Sequence, residues 1–73
     1  MRLFRRQDGR YYAICSPSRD LFGDRILITY HGNERSNAGG IKTYYSDTDD
    51  AIVHAEQVIV KLRLAHGYEE VPV

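Results

Sequence analysis

The stretch "IKTYYSDTDDAIVHAEQVIVKLRLAHG", residues 41–67, changes its period in the middle, and that change decides the fold. Ile41 to Tyr45 reads as a strand. Beyond it Ala51, Ile52, Ala55, Val58, Ile59, Leu62 and Ala65 recur at helical spacing and make one apolar stripe. Ser46 or Asp47 suits the N-cap, and the acidic residues that follow sit where the positive end of a helix dipole favours them. Lys61, Arg63 and His66 fall in the last turns, and Gly67 suits the position just past the end. The spacing predicts one helix over residues 47–66, with Ile52, Val58, Ile59 and Leu62 buried.

Working outward from that helix, the rest of the chain reads as strands. Arg2 to Gln7 is a first strand, "QDGR" (residues 7–10) carries the Asp-Gly pair of a tight hairpin, and Tyr11 to Ser16 is a second. "SPSRDLFG", residues 16–23, reads as a loop, because Pro17 cannot continue a ladder and Gly23 allows a turn. Asp24 to His31 is the third and clearest strand, and Ile41 to Tyr45 the fourth. Tyr68 to Val71 returns as a short edge strand that Pro72 stops. Short connections imply antiparallel pairing. The expected class is α+β: a small antiparallel sheet of four to five strands with one long C-terminal helix on one face, forming a single domain over residues 1–73.

Composition narrows the function. The formal net charge is zero, but residues 1–45 carry eight basic against four acidic side chains, and residues 46–73 two against six. A chain polarised in this way can offer a basic face to an anion while staying neutral; the two halves can equally pair with each other. Cys15 is the only cysteine, which excludes an intramolecular disulfide and fits a reducing, cytoplasmic setting. Neither a leader nor a membrane span is legible.

No catalytic arrangement stands out. Cys15 lies in a strand, where burial on the core face is expected, and no local signature pairs it with His31, His54 or His66. Asp47, Asp49 and Asp50 lack the spacing of a calcium loop and are accounted for by the helix start. No metal, no cofactor and no enzymatic activity are expected.

The tyrosines are more informative. Tyr11, Tyr12, Tyr30, Tyr44, Tyr45 and Tyr68 are six of the eight aromatic residues, and strand alternation sends one ring of each adjacent pair to each face. One ring of each pair can serve the helix-packed core. Rings on the other face, mixed with arginine, form a composition suited to nucleic acid, although strand-forming tyrosines with wet hydroxyls would read the same.

The order of these features resembles the WGR domain family. The resemblance is carried by Asp20-Leu21-Phe22-Gly23 before the central strand, the polar glycine-containing loop after it, Asp49-Asp50-Ala51-Ile52 opening the helix and Gly67-Tyr68 closing it, spanning residues 10–70. The family is named for a Trp-Gly-Arg tripeptide at the end of that strand. Here His31, Gly32 and Asn33 stand at those positions, and Glu34-Arg35 follows. In poly(ADP-ribose) polymerases the domain recognises DNA breaks, so the resemblance implies a non-catalytic DNA-binding module. His31 can still stack, Asn33 can donate without charge, and Arg35 can supply the missing cation. The expected nucleic-acid contacts are therefore His31, Gly32, Asn33 and Arg35, with Arg25 and Lys42 on the backbone. The alternative is a protein-interaction module, a homodimer included, that kept the fold after losing DNA.

Overall fold

The computed structural model describes residues 1–72; residue 73, the last of the expected domain, lies outside the described residues. The chain is α+β, six antiparallel strands with one helix packed on the sheet. The strands are β1 (Arg2–Arg5), β2 (Arg10–Ile14), β3 (Ser18–Arg19), β4 (Arg25–Asn33), β5 (Gly39–Ser46) and β6 (Glu69–Val71), and the helix α1 is Asp49–Ala65. β4 is the central strand: β5 lies along one of its edges, and β3 and β2 share the other. β1 and then β6 complete the sheet beyond β2.

The segment expected to be a loop over residues 16–23 contains the extra strand. Ser18 pairs with Ile26 and Arg19 with Arg25, closing a small hairpin. Asp20 makes the turn: its carboxylate accepts from the N–H groups of Phe22 (2.9 Å) and Asp24 (3.0 Å). The hairpin leaves Leu21 and Phe22 100% and 90% exposed, so neither serves the core.

Register fixes the two faces. Phe4 pairs with Tyr12, Tyr12 with His31 and Leu27 with Tyr44, so these residues share the face that the helix covers. The core is Phe4, Tyr12, Ile14, Leu27, Ile52, Ile59 and Tyr68, with Tyr44 and Val60 packed against it. One ring of each adjacent tyrosine pair does enter it, Tyr12 and Tyr44, leaving Tyr11 and Tyr45 on the opposite face.

The helix corrects two expectations. Its N-cap is Thr48, whose hydroxyl accepts the Ala51 N–H at 3.2 Å; neither Ser46 nor Asp47 holds that position. Its buried stripe is rolled about its axis: Ile52 and Ile59 are buried, while Val58 and Leu62 are 43% and 45% exposed. The half-buried helix positions are Ala55, Glu56, Val60 and Arg63. Two polar contacts hold this roll. Glu56 meets Arg2 at 3.4 Å, and the Arg63 guanidinium lies over the Tyr12 ring at 4.5 Å. Periodicity counts only apolar groups and cannot see that Glu56 and Arg63 have partners on the sheet. Gly67 follows the C-cap His66 with φ +87°, as an αL terminator does. Cys15 lies just past β2 and is half-buried rather than enclosed, since its register places it on the face opposite the helix.

Candidate nucleic-acid interface

The end of β4 and the start of β5 extend past the helix, and the space between them and the last helical turns is a cleft of about 710 Å³. Its lining includes Arg10, His31, Lys42 and Arg63, together with Tyr12, Tyr44 and Tyr68. No carboxylate lines it among the described residues.

Each cation is positioned by a ring or a turn. Lys42 Nζ sits 4.8 Å from the centre of the Tyr44 ring. Arg63 spans Tyr12 at 4.5 Å and Tyr68 at 5.7 Å, and its Nε is buried with no hydrogen-bond partner among the described residues. Arg10 is shared with Asp8, 3.5 Å away at the rim. Burial pushes the Tyr12 phenol above its ordinary value; contact with Thr29 and the charge of Arg63 act against that rise.

The glycines allow the rings to lie flat on the sheet. A Cβ on Gly32 would come within 2.5 Å of the Tyr11 hydroxyl oxygen, and one on Gly40 within 3.1 Å of His31 Cε1. His31 therefore lies against the β5 backbone, where a larger residue at position 40 would displace it.

The expected contacts separate into two groups. His31, Gly32, Asn33 and Lys42 converge on the cleft. Arg25 lies at the opposite end of β4, where it donates to Asp49 at 2.8 Å and to the Asp47 carbonyl at 3.2 Å, tying the strand to the helix start. The Arg25 guanidinium holds the Asp49 carboxyl below the ordinary range. Arg35 turns toward the first hairpin: its stem lies over Gly9 and its guanidinium reaches the Gln7 carbonyl at 3.5 Å. Asn33 caps that loop, its Oδ1 accepting the Arg35 N–H at 2.9 Å, so the carboxamide oxygen is engaged within the chain and its N–H groups are not. Glu34 adds a backbone bond to Gly9 and an ion pair to Arg5, so the 34–37 loop is fastened to the first turn.

Arg10 and Arg63 are the cleft residues that sequence reasoning missed. Arg10 stands in the hairpin and Arg63 among the basic residues of a helix end, and nothing in linear order connects either to residues 31–33. The chain matches no protein-family model, and neither the curated proteins nor the solved structures contain a match. No group of three or more potential metal ligands is gathered among the described residues, and no helix of theirs is long and apolar enough to cross a membrane.

Proposed function

We propose that the chain is a non-catalytic, WGR-like nucleic-acid-binding module that takes a strand, at or near its end, into the cleft between the β4–β5 tip and the last turns of α1. The observation that carries this reading is the carboxylate-free lining in which Arg10, Lys42 and Arg63 alternate with tyrosine rings. The cations suit phosphate oxygens, and the exposed His31 ring, unlike the buried Tyr12 and Tyr68, suits a base or sugar left unpaired at a terminus. His31 offers a further face at the mouth, with the Asn33 carboxamide beside it. Arg25 and Arg35 are assigned to the scaffold in this reading, because both guanidinium groups face partners outside the cleft.

Fluorescence anisotropy with labelled single-stranded, blunt, nicked and hairpin-capped DNA tests the proposal. Binding with a Kd on the order of 10⁻⁴–10⁻⁶ M is expected, as for modules that neutralise few phosphates. DNA with accessible ends should bind more tightly than capped duplex, and His31→Ala should reduce that preference. Absence of binding to every form at low salt would refute the reading.

A further inference from the structure

The two edges of the sheet are built differently. β6 is three residues long, carries Glu69 and Glu70 and is followed by Pro72, so that edge is blunted in the ways that discourage further pairing. β5 has none of these devices beyond a single lysine. It runs eight residues, Gly39–Ser46, in unbroken register with β4 from Gly32↔Gly39 to Arg25↔Ser46, with no bulge and no proline. Its one charge, Lys42, is held over the Tyr44 ring on the helix-side face. Its outer edge pairs with no strand among the described residues.

The loop-closing bond fixes which groups point outward. Asn33 N–H donates to the Ala38 carbonyl at 3.2 Å, so hydrogen-bonded pairs recur at every second position along β4 and β5. Gly40, Lys42, Tyr44 and Ser46 turn their N–H and C=O groups to β4. Gly39, Ile41, Thr43 and Tyr45 turn theirs outward.

We propose that a second copy of the chain pairs with this edge, β5 against β5, antiparallel about a two-fold axis through Thr43. In that register Thr43 faces Thr43, and Ile41 faces the second copy's Tyr45 in both directions. Those three pairs exchange six backbone hydrogen bonds. On the side away from the helix, Ile41 and Tyr45, each 67% exposed, cover one another. On the helix side, Lys42 faces the second copy's Tyr44, which extends the cation–ring contact already present within the chain. Lysine never opposes lysine. Moving the axis to Ile41 or Tyr45 loses this match: one choice runs the outer residues into the 34–37 loop, the other into the helix start. Isologous symmetry demands such self-complementarity, and an unrelated strand has no reason to possess it.

The join is an edge contact, and its small area implies a dissociation constant of about a micromolar or weaker. The inference does not depend on what the cleft binds, and Thr43 is not part of the cleft lining. Analytical ultracentrifugation from about 10 µM to 1 mM should show mass rising toward twice that of one chain. Thr43→Pro removes an outward N–H without taking a bond from β4, a position where an edge strand accepts proline. It should weaken dimerisation at least about tenfold, because two of the six bonds are lost and the ring crowds the axis. In a Cys15→Ser background, Thr43→Cys places two thiols on residues about 5.5 Å apart at their Cα atoms, within disulfide reach, so mild oxidation should give a covalent dimer. Lys42→Cys in the same background should not crosslink, since residue 42 opposes residue 44. A monomer at 1 mM, or crosslinking of the two cysteine variants at equal rates, overturns the proposal.

Discussion

Arg63 is the residue on which the cleft reading can be tested most directly. It is half-buried, lies across Tyr12 and Tyr68 and pairs with no carboxylate among the described residues, so its charge is not neutralised within the chain. Together with Lys42 and Arg10, the last shared with Asp8, it lets the cleft neutralise two to three phosphate charges. The slope of log affinity against log salt on duplex DNA should then be about −1.8 to −2.7, and raising salt from about 50 to 200 mM should weaken binding about twelve- to fortyfold. Arg63→Gln removes one charge while retaining part of the stem. The slope should become shallower by about 0.9, and affinity at about 50 mM salt should fall tenfold or more, the worth of one charge-assisted contact. Arg25→Ala is the internal control, because that guanidinium is engaged with Asp49 and Asp47 at the far end of β4. Anisotropy titrations with nicked duplex at four salt concentrations measure both slopes, with circular dichroism melts to show that each variant is folded. If folded Arg63→Gln keeps the parent slope, or if Arg25→Ala flattens it, the anion does not enter this cleft.

Two further outcomes follow from the core and the rim. Ile59→Asp puts an unpaired carboxylate beneath the helix and should abolish cooperative thermal melting, since its cost of several kcal/mol rivals the roughly 4–11 kcal/mol that a chain of this size has in total. Val58→Asp, one position along and 43% exposed, should cost about 1 kcal/mol or less, and equal damage from both would contradict the helix roll described above. Acid should destabilise the protein: Arg6 holds Asp8 at about 2, and Asp49 and Glu70 are likewise lowered by Arg25 and Arg2. Below the ordinary carboxylate range the unfolded chain therefore binds more protons than the folded one, so stability present at neutral pH is lost as pH falls from about 4 toward 2. The urea midpoint should drop across that window, less steeply in Asp8→Asn; a flat profile would show that these exposed pairs contribute nothing.

Much of the architecture was legible because it depends on local rules. The Asp-Gly hairpin, the long strand ending near residue 31, the acidic helix start, Gly67 after the helix and the edge strand before Pro72 each follow from neighbours a few positions apart. The division of Tyr11-Tyr12 and Tyr44-Tyr45 between two faces follows from the pleat alone. The N-cap was misplaced because Ser46, Asp47 and Thr48 can all cap, and only the path of the chain out of β5 selects Thr48. Four residues lining the candidate cleft were also named from sequence: His31, Gly32 and Asn33 are consecutive, and Lys42 stands on the next strand.

Tertiary structure decided the rest, because the remaining choices depend on which distant charges meet. Arg25 and Arg35 looked available in sequence, yet Asp49 and the first hairpin engage them. Arg63 looked like an ordinary basic residue near a helix end. The roll that lays it over Tyr12 also exposes Val58 and Leu62, and it arises where Glu56 meets Arg2 and Arg63 meets Tyr12, each across a separation of about fifty residues. A periodic pattern reports how much apolar surface a helix can bury. It leaves the helix free to turn by half a residue's angle either way, and within that freedom the polar contacts choose the face that closes the core and the cation that points into the cleft.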